Sequence, residues 1–144
     1  MKGKFYTDGA CSFNPGPGGW SAVNISNLEC IKTISGHEPN TTNNRMEILS
    51  VIKCLQIWKK YDIIEIYSDS KYVIDCFNNW QKIWHMKDKS EVKNLDLWNT
   101  LFEEAKGRDI KFFKVKGHSK DYFNDIVDKL AVAMSKGGVI LEKK

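Results

Sequence analysis

The chain has 144 residues, 42% of them hydrophobic and 28% charged, with a formal charge of +4, the profile of one globular domain over residues 1–144 with a real core. No apolar run approaches the ~20 residues of a membrane span, and the first strand follows Met1 with no secretory apolar region before it. Cys11, Cys30, Cys54 and Cys76 are far apart, with no CxxC pair, so they read as free thiols in a reducing, cytoplasmic setting and not as a zinc site or disulfide frame.

Lys4 to Cys11, rich in aromatic and β-branched residues, reads as a strand, and the Asn14-Pro15-Gly16-Pro17-Gly18-Gly19 stretch after it is dense turn chemistry. Trp20 to Ile25 and Cys30 to Ser35 read as two further strands, joined closely enough to make an antiparallel meander. Gly36 to Thr42 reads as polar loop. Asn43 or Asn44 can then cap a helix running to about Lys60. Ile63-Ile64-Glu65-Ile66-Tyr67 has the mostly apolar character of a strand buried on both faces. A helix begins at Ser70, and a segment rich in tryptophan and lysine runs from Asn78 to Lys93. Asn94 to Lys106 is helical by pattern, Ile110 to Val115 is a strand, and Asp125 to Lys136 is a last helix. The class is α/β, with a mixed sheet whose later strands are parallel crossovers and with helices packed on it.

Four carboxylates fall in unusual places. Asp8 lies in a strand, where acids are depleted. Glu47, near the start of the long helix, shares a face with Val51, Cys54 and Trp58, so it points inward. Asp69 follows the Ile63–Ser68 strand at its carboxyl end, where open α/β sheets place ligands. Asp128 borders the apolar face of Val127, Leu130, Ala131 and Met134. Any one of them can be an ordinary cap or surface acid, and Asp69 before Ser70 fits a helix cap. Four inward carboxylates without an evident lysine or arginine repel one another unless a cation neutralises them. Oxygen ligands alone point to Mg²⁺ or Mn²⁺, and two such ions ~4 Å apart are the usual arrangement for in-line phosphodiester hydrolysis. His118, in Lys116-Gly117-His118-Ser119-Lys120, is either incidental or a proton carrier beside the acids.

Five motifs resemble type 1 ribonuclease H, in that family's order and over nearly the whole chain. They are Tyr6-Thr7-Asp8-Gly9-Ala10-Cys11 with Asn14 to Gly19, Thr41 to Glu47, Tyr67 to Tyr72, Val92 to Trp98, and Val115 to His118 with Asp128-Lys129-Leu130-Ala131. The resemblance implies an RNase H-like fold: a five-stranded mixed sheet, three strands antiparallel and then two parallel, with helices on both faces. It implies an endonuclease cutting the RNA strand of an RNA–DNA hybrid with Mg²⁺, leaving 3′-hydroxyl and 5′-phosphate ends. Asp8, Glu47, Asp69 and Asp128 match the metal-binding carboxylates, and His118 the catalytic-loop histidine. Asn14 and Asn44 match positions that read the minor groove, where the 2′-hydroxyl tells RNA from DNA. Thr42 and Asn94 match positions holding a phosphate of the DNA strand.

Lys71 and Lys93 fall within the matched motifs as further nucleic-acid contacts. Asn79 to Lys89 corresponds to a basic protrusion, where Trp80 and Trp84 among lysines suit a nucleic-acid surface; at i, i+4 they suit a core stripe equally. Asn14 can equally supply turn geometry, Asn44 a cap, and Thr42 and Asn94 local hydrogen bonds. The protrusion is shorter than in bacterial relatives and contains Asp88 and Glu91. No separate hybrid-binding module is expected, and the protein is expected to act as a monomer. Two other functions use the same fold. DNA cutting or strand transfer, as in integrases and junction resolvases, is disfavoured by the Gly-His-Ser loop and the Asn14/Asn44 pair. A binding module without chemistry is disfavoured by the presence of all four acids.

Overall fold

Alternate residues of the first strand feed two separate cores, and the rest of the architecture follows from that split. The computed structural model describes residues 1–80, 92–116 and 121–136. In chain order its elements are β1 (Lys2–Cys11), β2 (Gly16–Asn24), β3 (Lys32–Thr41), α1 (Asn43–Ile57), β4 (Ile63–Ser68), α2 (Lys71–Asn78), α3 (Leu95–Ala105), β5 (Asp109–Lys114) and α4 (Tyr122–Ser135). The strands form one sheet in the order β3-β2-β1-β4-β5. β1 pairs antiparallel with β2, and β2 with β3, while β4 runs parallel to both β1 and β5. The mixed sheet is the expected one, with β1 at its centre.

Phe5 and Ala22 face a core made with Ile48, Val51, Ile52 and Leu55 of α1, Val73 of α2, and Trp98 and Leu101 of α3. Tyr6 and Val23, one residue on in each strand, face a smaller core with Val115 and with Val127 of α4. Helices therefore cover both faces of the sheet. Two glycines set how closely. A Cβ on Gly9 would overlap the backbone of Met46 and Glu47 in α1, and one on Gly19 would overlap the Ala131 carbonyl in α4.

Several sequence expectations need correction. Gly36 to Thr41 is not loop but the continuation of β3, which pairs with β2 as far as Gly16↔Thr41 across an irregularity between Gly16 and Gly18. Pro39 is tolerated there because β3 is an edge strand, and Gly36 lets the Trp20 ring lie against the backbone. The cap of α1 is Thr42, whose Oγ1 accepts from the Arg45 N–H at 3.2 Å, and not Asn43 or Asn44. That helix ends at Ile57. β4 is buried on one face only: Ile63 is 46% exposed. On that face α4 packs over β1, β2 and β3, leaving β4 an aromatic row in which Tyr67 stacks between Tyr6 and Phe113. The last helix starts at Tyr122, earlier than its apolar pattern suggests, because Asp121 caps it by accepting from the Phe123 and Asn124 amides.

None of the four cysteines is in a disulfide. Among the described residues no helix is long and apolar enough to cross a membrane.

Candidate active site

Asp8, Glu47, Asp69 and Asp128 arrive at one place from four different elements. Asp8 lies on central strand β1. Glu47 is in the first turns of α1, carried against β1 by the close approach at Gly9. Asp69 follows β4 directly. It does not cap α2, because Ser70 does: its Oγ accepts from the Val73 amide at 3.2 Å. Asp128 comes from α4 on the other face of the sheet. Asp8, Glu47 and Asp69 each offer a carboxylate oxygen, and these oxygens all lie within 4.8 Å of one another. With Asp128 they line a recess of about 220 Å³, together with Gly9, Asn43, Asn124 and Asp125.

Burial grades across the recess. Asp8 is 3% exposed and Glu47 6%, Asp69 is half-buried, and Asp128 is exposed at the mouth. Among the described residues none of the four is in a salt bridge; the nearest relief is Lys114, whose charge acts weakly on Asp69. Three of the acids, Asp8, Glu47 and Asp69, are shifted toward the protonated form. Burial, then the charges of Asp69 and Asp128, push Asp8 up to about 8. Burial, then Asp8 and Asp69, raise Glu47 well above the ordinary carboxylate range. Burial, then Asp128, raise Asp69. Glu47 Oε1 is buried without a hydrogen-bond partner among the described residues. An unpartnered buried oxygen inside an all-carboxylate cluster is a donor set for a hard divalent cation, which would relieve both the repulsion and the missing bond.

The family model described as RNase H matches residues 2–136. The chain belongs to the RNase H family. This is a family of nucleases that depend on divalent metal, in keeping with the donor set just described. The Ribonuclease H of Caldicellulosiruptor saccharolyticus is 47% identical over 137 residues, covering 91% of this chain and 94% of its own length. Among solved structures, LC9-RNase H1, a type 1 RNase H with the type 2 active-site motif, superposes with a TM-score of 0.80 at 26% identity. That match covers 96% of this chain and 74% of the other. LC11-RNase H1, solved in complex with an RNA/DNA hybrid, shares the fold at a TM-score of 0.72 and 20% identity, over 93% of this chain and 96% of its own. The fold is thus the RNase H fold.

The other residues expected at this RNase H site have more varied surroundings. Asn14 Oδ1 accepts from the Asn43 amide at 3.1 Å, tying the β1–β2 turn to the start of α1. Asn44 is exposed beside it. Thr42 caps α1. Asn94, in the left-handed region at φ 61°, accepts from Arg45 at 3.3 Å and donates to the Tyr72 hydroxyl at 3.0 Å. Thr42 and Asn94 are thus joined through Arg45, which also grips Asp96 with two bonds of 3.0 and 2.7 Å. Lys71 is paired with Asp75 at 2.7 Å on the exposed side of α2, and Lys93 is exposed. Trp80 stacks its ring on Phe102 of α3, with centroids 3.4 Å apart, so one of its faces is covered by the core. Trp84 and His118 lie outside the described residues.

Four lining residues, Gly9, Asn43 and the α4 pair Asn124 and Asp125, were not among the expected site residues; the α4 pair matters most here. Their signal was available: they stand four and three residues before Asp128, on the same side of a helix.

Proposed function

We propose that the protein is an endoribonuclease that hydrolyses the RNA strand of RNA–DNA hybrids, leaving 5′-phosphate and 3′-hydroxyl ends. The observation that carries this reading is the meeting of Asp8, Glu47 and Asp69 oxygens within 4.8 Å, with Asp128 at the mouth, in a chain of the RNase H family. The relative solved with an RNA/DNA hybrid supports the substrate class. The four carboxylates would hold two Mg²⁺ ions, or Mn²⁺ in their place. Such ions, when bound, ease deprotonation of the attacking water and stabilise the leaving oxygen.

The chain's own residues divide the remaining work. Glu47 and Asp8, buried and deep, fix the floor of the site and give it a high negative charge only when metal is present. Asp128, exposed on α4, meets the substrate side. In the reaction, water adds to phosphorus, the bond from phosphorus to the 3′ oxygen breaks, and that oxygen takes up a proton. His118, in the segment leading into α4, is assigned to carry that proton. Asn14 and Asn44, beside the α1 N-terminus, are assigned to the minor groove, and Thr42 with Asn94 to a DNA phosphate. The protein acts as a monomer in the cytoplasm, a setting supported by its four unpaired cysteines.

The test is a cleavage panel of matched RNA–DNA hybrid, RNA duplex and DNA duplex, each with and without Mg²⁺. Cutting confined to the RNA of the hybrid, and dependent on metal, is expected. Equal cutting of hybrid and RNA duplex would overturn the substrate assignment. Asp8→Asn and Asp69→Asn should abolish cleavage while hybrid binding is retained.

A further inference from the structure

Asn124 is 3% exposed, lines the acidic recess, and its Oδ1 has no hydrogen-bond partner among the described residues. Leaving an amide oxygen buried and unpaired is destabilising. The side chain is held there by design of the helix start. Its backbone N–H donates to Asp121 Oδ1 at 3.2 Å, and Asp121 Oδ2 in turn accepts from the Tyr6 hydroxyl on β1 at 2.9 Å. The first turn of α4 is thereby fastened to the central strand two residues from Asp8, and Asn124 stands one turn before Asp128 on the same side.

The other polar side chains at the heart of the recess are carboxylates. A carboxylate that is ionised to hold a cation only accepts hydrogen bonds, so in that state none of them can satisfy an amide oxygen, and none of the described residues donates to Asn124 Oδ1 in the structure. An acceptor facing acceptors is reconciled by a positive species between them. A neutral amide also adds an oxygen without adding another negative charge to the cluster.

We propose that Asn124 is a further residue of the metal site, its amide oxygen entering the coordination shell of the divalent cation as an uncharged ligand. This rests on the reading of the recess as a metal site. It also accounts for the burial of Asn124 Oδ1 without a hydrogen-bond partner among the described residues.

Calorimetric titration of Mg²⁺ and Mn²⁺ into the substrate-free protein tests it, comparing wild type with Asn124→Ala and Asn124→Asp. Thermal unfolding of each protein is run with and without the metal. Asn124→Ala is expected to weaken cation binding about 10- to 100-fold and to lose most of the metal-induced rise in Tm. Asn124→Asp keeps the oxygen in place and adds charge, so at pH 8 it should bind at least as tightly as wild type. An alanine variant that binds as tightly as wild type overturns the proposal. Should that variant fail to fold, the near-isosteric aspartate variant decides alone: weaker binding than wild type overturns the assignment, and equal or tighter binding supports it. Wild type that takes up neither cation would instead bring down the metal reading itself, and this inference with it.

Discussion

The Tyr6 hydroxyl donates to Asp121 Oδ2 at 2.9 Å, joining residues 115 apart in the chain. Burial first, then this hydrogen bond, push the phenol above its ordinary range, so it stays a donor at any working pH. Asp121 spends its other oxygen capping α4. The bond therefore links the strand that carries Asp8 to the helix that carries Asp128. Tyr6→Phe keeps the ring in its stack with Tyr67 and removes only the hydroxyl. It should cost about 1 kcal/mol, read by urea unfolding, and lower the cleavage rate of the folded enzyme several-fold. Unchanged cleavage would show that the α4 cap holds its place without β1.

Gly9 makes a second such link, on the opposite face. Because a Cβ there would overlap the Glu47 backbone nitrogen, Gly9→Ala must push the start of α1 off the sheet and take Glu47 away from Asp8. The expected loss is roughly 1–3 kcal/mol of stability, with weaker Mg²⁺ binding in the molecules that still fold. Calorimetry of the variant at a temperature well below its Tm separates the two effects.

Arg108 is a structural cation with no part in the acid cluster. Its guanidinium donates to the carbonyls of Tyr61, Leu55, Glu104 and Trp58, at 3.0, 2.9, 3.2 and 2.9 Å. It so closes the C-terminal ends of α1 and α3, where carbonyls lack partners and the helix dipole favours positive charge. Arg108→Met should destabilise the fold by about 2–4 kcal/mol while leaving cleavage per folded molecule intact. A matching loss of activity at full folding would mean that the far end of the sheet is coupled to the site.

Metal-free stability should fall as pH rises. Asp8 goes from an ordinary 3.8 to about 8 on folding, and Glu47 and Asp69 are raised as well. Between those two values the folded state binds more protons than the unfolded state, so the slope of stability against pH is negative. The contribution is full below about pH 4 and is lost by about pH 8. Tm measured in chelator should drop across this window, and Asp8→Asn should flatten the drop. Added Mg²⁺ should raise Tm more at pH 8 than at pH 5, since it competes with the protons. A chelated Tm that rises from pH 5 to pH 8 would contradict the raised carboxyls.

Much of this was legible in one dimension. The turn chemistry of Asn14 to Gly19, the inward face shared by Glu47 and Val51, and an acid within a strand are local patterns, and local patterns follow from backbone and side-chain chemistry alone. The antiparallel sense of the first three strands and the parallel crossovers of the later ones followed from the lengths of the connections, while the order β3-β2-β1-β4-β5 did not. Where local signals competed, the reading slipped. Three residues able to cap stand in a row at Thr42-Asn43-Asn44, and the packing of Met46 and Glu47 against Gly9 settles which one does. The Pro39 and Gly36 that suggest a loop are accommodated by an edge position and by the Trp20 ring, and neither is visible before the sheet is assembled.

The residues by themselves determined which oxygens are available and on which side of each element they sit, because helix and strand periods are properties of the backbone. Only the folded chain decided that oxygens of Asp8, Glu47 and Asp69 meet within 4.8 Å, and that Asn124 lies beside them with no partner for its Oδ1 among the described residues. Distances between elements far apart in sequence depend on how closely helices seat on the sheet, and that is set by the contacts at Gly9 and Gly19 together with the single bond from Tyr6 to Asp121.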